Sequence, residues 1–110
     1  KYASPVWFDI NQTRVLNAQI AREDRDEKHI CPLQLDVIER CIEIWTNPRE
    51  LVFDPFAGIG STGYVALQTN RRFVGIELKQ AYFNVAVDNL TEAERIANQP
   101  DLFSVSGVAV

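Results

Sequence analysis

The spacing of apolar positions changes twice along this chain, and each change marks an element. Leu35, Ile38, Ile42 and Trp45 recur at intervals of three and four, the period of a helix with one apolar face. The pattern predicts a helix that starts at Pro32, whose fixed φ and missing N–H suit the first helical position, and that stops at Asn47-Pro48. Asp36 and Glu39 fall early in it, beside the positive end of its dipole. Leu51-Val52-Phe53 is a continuous apolar triplet, too short for a helix, and reads as a strand buried on both faces. A helix over 62–68 follows, then a polar turn at Asn70-Arg71-Arg72. Phe73-Val74-Gly75-Ile76 reads as a second buried strand ending at Glu77. A third helix from Ala81 places Phe83, Ala86, Val87 and Leu90 on one face.

The flanks are plainer. Val6 to Ile10, β-prone and bounded by Pro5 and Asn11, is expected to be a strand. Residues 18–29 mix charges densely, as in a solvated loop or a frayed helix. The tail after Pro100 reads as either a short edge strand or disordered chain. Helix, strand, helix, strand, helix is the order of βαβ units on a parallel sheet, so the fold class is α/β. Two or three strands are roughly half of a doubly wound domain, which has about five to seven. Together with an N-terminus that lacks a starting Met, this reads as part of a longer chain. Three segments are expected: a strand and charged loop over 1–30, an α/β half-domain over 31–95, and a tail over 96–110.

Composition narrows the function. The chain has 110 residues, 15 acidic against 11 basic side chains, and a net charge of −4. So acidic a chain is a poor nucleic-acid binder by itself, because Lys and Arg supply phosphate affinity. No apolar run approaches the roughly 18 residues of a membrane span, and no signal peptide is visible. Cys31 and Cys41 lie ten apart without CxxC spacing, and His29 is the single histidine. That set is too small for a zinc site. Two reduced, buried thiols in a cytoplasmic protein are expected instead, with His29 structural rather than catalytic.

The chemistry concentrates where the first strand meets the second helix. Gly58-x-Gly60-x-x-Gly63, with Glu77 seventeen residues after Gly60, matches the dinucleotide fingerprint. Glycines let the backbone turn tightly beside a ligand, and the helix start offers free N–H groups. Glu77 is placed to accept from both ribose hydroxyls of a nucleotide; the plain alternative is a solvated strand end. Asp54, at the end of the first strand, selects among nucleotides. Its carboxylate would repel a pyrophosphate but attract the ammonium and sulfonium of S-adenosylmethionine (AdoMet), whose carboxylate the loop amides can take. Phe56 reads equally as a ligand contact or a core residue. The methyl donor is favoured over NAD, and a nicotinamide-dependent oxidoreductase stays as the alternative.

Asp54-Pro55-Phe56-Ala57-Gly58-Ile59-Gly60-Ser61-Thr62 resembles the AdoMet-binding motif DPFxGxGTT of amino-group DNA methyltransferases. Phe73-Val74-Gly75-Ile76-Glu77-Leu78-Lys79 with Tyr82 is similar to their second motif, whose acidic residue takes the ribose. His29-Ile30-Cys31-Pro32-Leu33-Gln34-Leu35 looks like the segment that precedes the glycine motif, in its phage DNA methylase form. The order of the three matches the permuted β class, in which the cofactor motifs form the C-terminal end. The resemblance spans roughly residues 5–95. It implies a partial Rossmann-like methyltransferase fold and AdoMet held by Asp54, Phe56, Gly58, Gly60, Ser61, Thr62 and Glu77. It also implies methyl transfer to adenine N6 or cytosine N4 of a flipped base, with double-stranded DNA bound through the rest of the enzyme and no metal. Two departures limit it. The family's HPTxKP is His29-Ile30-Cys31-Pro32 here, so contacts through that lysine do not carry over. Its catalytic (D/N/S)PP(Y/W/F) motif has no full counterpart, since Ser4-Pro5-Val6-Trp7 lacks one proline and lies too near His29; it is read as a strand entrance. These residues alone are therefore expected to be inactive. A truncated prophage remnant that self-associates through open sheet edges is the other reading.

Overall fold

The computed structural model describes residues 2–16 and 31–99. The charged segment with His29 and the tail after Pro100, on which several expectations rest, lie outside these residues.

Helix α1 spans Leu35–Trp45. It begins three residues after Pro32, because Gln34 has the extended backbone of a cap (φ −59°, ψ 132°) without a side-chain capping bond. The capping partner comes from elsewhere: the Leu35 N–H donates to the Arg14 carbonyl at 2.9 Å. Leu35, Ile38 and Ile42 are buried as the spacing predicts, each stabilising the fold by about 1.5–3 kcal/mol. Trp45 is 81% exposed instead; it is the last helical residue, and no described layer lies beneath it. Thr46 closes the helix, its hydroxyl donating to the Ile42 carbonyl at 2.6 Å.

Strands β1 (Leu51–Asp54) and β2 (Arg72–Gly75) pair in parallel, Leu51 opposite Arg72 and Asp54 opposite Gly75. Helix α2 (Ser61–Gln68) makes the crossover between them, and α3 (Gln80–Ala97) follows β2. Among the described residues the sheet has these two strands only. Helix α2 packs on α1, on α3 and on the sheet. Val65 and Ala66 join the face of α1 in the core, with Val52 and Phe73 packed against them.

The strands were expected to be buried on both faces; they are covered on one. Val52 and Phe73 point to the core, whereas Leu51, Phe53 and Val74 stand exposed on the opposite face, Phe53 at 57%. No described element covers that side. The first strand expected, Val6 to Ile10, is not a strand. Residues 2–16 form an irregular strap, since no described strand pairs with it and charged pairs on α1 hold it instead. Arg14 pairs with Asp36 and Glu39, and the Asn11 N–H donates to Asp36 at 2.8 Å. Arg40, buried, bonds Asp9 at 2.7 Å and lies 4.9 Å over the Tyr2 ring and 5.3 Å over the Trp7 ring.

The two thiols, expected to be buried, are free and exposed. Cys41 lies on α1 away from the apolar stripe, and Cys31 precedes the helix. Arg71 does more than polarise a turn. Its guanidinium donates to the Thr46 hydroxyl at 3.1 Å and the Thr46 carbonyl at 3.0 Å, tying the end of α1 to the α2–β2 turn. Asn70, with φ 62°, takes the left-handed conformation there, and Arg72 already belongs to β2.

Candidate cofactor site

The loop between β1 and α2 is shaped by its own backbone. Asp54 accepts the Phe56 N–H at 2.9 Å, so the carboxylate folds the chain back as it leaves the strand. The Ala57 N–H donates to the Ile76 carbonyl at 2.9 Å, and the Ile76 N–H to the Asp54 carbonyl at 3.0 Å, which extends the parallel pairing past both strand ends. Gly58, at φ 56°, opens a tight turn closed by the Gly60 N–H on the Ala57 carbonyl at 2.9 Å. Gly60, at φ 91°, is the residue before α2, and a side chain there would lie 3.3 Å from Ala86. Both left-handed positions need glycine.

The glycines divide their work. Around Gly58 there is open space on the side where a Cβ would stand, as a ligand-facing position requires. Gly60 is buried against α3 and Gly63 against Phe73 and Leu90; these two bring helices and strand close together. Gly60 therefore shapes the loop and does not line it.

A cleft of about 270 Å³ opens on the α1 side of the loop, lined by Asp54, Phe56, Gly58, Ser61 and Thr62 together with Cys31. Phe56 is 86% exposed and is not part of the core of the described residues. A smaller cleft of about 130 Å³ lies on the α3 side, between Glu77, Phe73 and Phe83, and shares Ala57 with the first. Glu77 links the two sides, since one carboxylate oxygen accepts the Gly58 N–H at 2.8 Å and the other the Lys79 N–H at 2.9 Å. Neither cleft is lined by Lys or Arg, and each has one carboxylate. That donor set suits a cationic, sugar-bearing ligand better than a pyrophosphate. A larger cavity of about 400 Å³ lies at the other end of α2 and α3, near Arg71 and Glu94, and contains none of the expected site residues.

Three residues beyond those expected contribute. Cys31 and Leu33 line the first cleft, although the contact expected from that segment in the family is through a lysine that is absent. Asn89 of α3 donates through Nδ2 to the Ile59 carbonyl at 2.8 Å. A polar residue three positions after Ala86, on the helix face that meets the loop, was the available signal. Ser4-Pro5-Val6-Trp7 is a turn within the strap, where the Ser4 hydroxyl donates to the Val6 carbonyl at 2.8 Å and Trp7 lies against Arg40.

The family model N6_N4_Mtase, a DNA methylase family, matches residues 1–88. The chain belongs to this family. It is 33% identical over 81 residues to the type II methyltransferase M.HindIII of Haemophilus influenzae, covering 74% of this chain and 26% of that protein. With the type II methyltransferase M.BglII of Bacillus subtilis the identity is 38% over 84 residues, 74% of this chain and 23% of the relative. The crystal structure of M1.HpyAVI superposes with a TM-score of 0.52 at 41% identity, over 53% of this chain and 29% of that one. Its SAM complex gives 0.50 at 43% identity, over 51% and 28%. The chain thus spans about a quarter of the length of the curated relatives it matches. The partial α/β methyltransferase fold is as expected, and the family supports the methyl-donor reading over the oxidoreductase. Nothing in these matches bears on a prophage origin. Among the described residues no helix is long and apolar enough to cross a membrane.

Proposed function

We propose that this chain is the AdoMet-binding portion of a DNA methyltransferase that modifies adenine N6 or cytosine N4. The observation that supports this best is the loop itself. An open glycine turn lies between a carboxylate at the end of β1 and a carboxylate beyond β2, with no basic residue in either cleft. Bound AdoMet supplies an activated methyl group. In this reading Asp54 attracts its cationic end, the first-turn amides of Ser61 and Thr62 take its carboxylate, and Phe56 offers an apolar face. Glu77 accepts from the ribose with the lone pairs left after Gly58 and Lys79. The SAM complex of M1.HpyAVI is a relative bearing the same cofactor.

DNA is the partner of the whole enzyme, met through residues beyond these, and a cytoplasmic location follows from that substrate. Methyl transfer by this chain alone is not expected, because the family's (D/N/S)PP(Y/W/F) residues, which hold the target amino group, have no full counterpart in it. Left without its other half, the bare sheet face of Leu51, Phe53 and Val74 favours self-association.

Calorimetric titration tests the cofactor reading. Saturable binding of AdoMet, with none of NAD, and loss of affinity in Asp54→Ala and Glu77→Ala variants is the expected result. A folded chain that binds NAD, or that binds AdoMet equally well without both carboxylates, overturns it.

A further inference from the structure

The peptide between Ile59 and Gly60 is the one on which the orientation of the loop turns. Its N–H donates to the Ala57 carbonyl at 2.9 Å, and its carbonyl accepts from Asn89 Nδ2 at 2.8 Å. Both ends of this one peptide unit are therefore held, the first by the turn and the second by a side chain thirty residues later on α3. Rotation of that peptide is coupled to φ of Gly60, because the two share the N–Cα bond next to it. Gly60 stands at φ 91°, a value at which a free glycine has no strong preference. Its own carbonyl accepts the Tyr64 N–H at 2.8 Å and starts α2. Ser61 and Thr62, which line the 270 Å³ cleft, follow directly from Gly60 as the first residues of α2. From the other side Glu77 holds the Gly58 N–H.

We infer that Asn89 is a positioning residue for the cofactor loop: its amide fixes the Ile59–Gly60 peptide so that the first-turn amides of α2 face the ligand in advance of binding. This rests on the AdoMet reading above. The ordering cost of the turn is met at folding, and a protein without the Asn89 bond meets it at binding, which weakens affinity without removing a ligand contact. Aspartate is the informative replacement. It has nearly the shape of asparagine but presents only acceptors to the Ile59 carbonyl.

The experiment compares AdoMet titrations and loop amide ¹⁵N shifts of the wild-type chain with those of Asn89→Asp, Asn89→Ala and Asn84→Ala. Asn84 is the control: it accepts from Gln80 at 2.8 Å on the same helix, so its loss tests helix damage alone. The expected result is about tenfold weaker AdoMet binding for both Asn89 variants, wild-type affinity for Asn84→Ala, and ligand-free amide shifts of Gly58, Gly60 and Ser61 displaced only in the Asn89 variants. Wild-type binding with unchanged affinity or unchanged loop shifts in the Asn89 variants overturns the inference and leaves the cofactor reading intact. Equal weakening by Asn84→Ala reassigns Asn89 to helix stability and also overturns it. A wild-type chain that is folded and binds no AdoMet overturns the cofactor reading, and this inference with it.

Discussion

Replacing Gly63 by alanine sets two well-measured effects against each other, and the structure decides the sign. Gly63 lies in the first turn of α2 with ordinary helical backbone, where alanine is favoured over glycine by up to about 1 kcal/mol. Propensity alone therefore predicts a more stable protein. A Cβ at this position, however, falls 2.5 Å from the Phe73 ring and 2.6 Å from Leu90 Cδ2. The ring has little room to retreat, because it also fills the space over Gly75, where a Cβ would be 2.8 Å away. Forcing a methyl into packed surroundings costs about 1–3 kcal/mol, and the double obstruction places this case at the upper end. The net expectation is destabilisation by about 1–2 kcal/mol, or a melting point lower by roughly 5–15 °C in a chain of this size. Thermal and urea denaturation followed by circular dichroism measure it. Adding Phe73→Leu to Gly63→Ala should recover of order 1 kcal/mol relative to the sum of the single changes. A Gly63→Ala protein as stable as wild type, or more so, refutes the packing argument.

Three further outcomes follow from the strap, the thiols and the bare sheet face. Hydrogen bonds from the Arg14 guanidinium and then the Asn11 N–H hold the Asp36 carboxyl below its usual pKa. A lowered folded-state value contributes stability that is complete above the ordinary carboxylate range near about pH 4 and is lost as pH falls through the lowered value. In a Trp45→Phe background, Trp7 fluorescence should hold steady down to about pH 5 and shift red only in stronger acid, whereas Asp36→Asn should show the shifted spectrum at neutral pH; a strap released near neutrality in the parent contradicts the pairing. Both cysteines are exposed, so both should react with a maleimide in the native chain, and saturating AdoMet should slow Cys31, on the cleft wall, at least about tenfold while leaving Cys41 unchanged. Sedimentation should show concentration-dependent oligomers that Val74→Lys, which places a charge on the open face, shifts to monomer; a wild-type chain monomeric at all concentrations removes the self-association proposal.

How much of this could be read from residues alone depended on whether the determinant was local. The helices of 35–45, 61–68 and 80–97 are close to the expected ranges because apolar periodicity and turn residues define them within a few positions. The glycine loop was legible for the same reason, since its left-handed positions are written as glycine. Where the determinant was another segment, the reading failed. The start of α1 is set by the Arg14 carbonyl, twenty-one residues away, and not by Pro32. Val6 to Ile10 has strand-forming residues but no partner strand among the described residues, and the pairing of Arg40 with Asp9 fixes it as a strap. Exposure was the hardest property to foresee. Leu51, Phe53 and Trp45 have core composition yet face outward, because no described layer covers them. The candidate site shows the same division, with Asp54, Gly58 and Glu77 visible in the motifs, whereas Asn89 had only its place beside the apolar face of α3 as a signal and its partner, the Ile59 carbonyl, lies thirty residues away.

The central claim is that the cofactor lies at the loop between β1 and α2, and not in the larger cavity at the other end of the helices. Amide shift mapping of the ¹⁵N-labelled chain during titration with AdoMet tests this most directly. Saturable shifts are expected at Gly58, Ser61, Thr62, Glu77 and Cys31, with Asn70, Arg71 and Asn98 unmoved. Shifts confined to Asn70, Arg71 and Asn98, with the glycine loop silent, would contradict it.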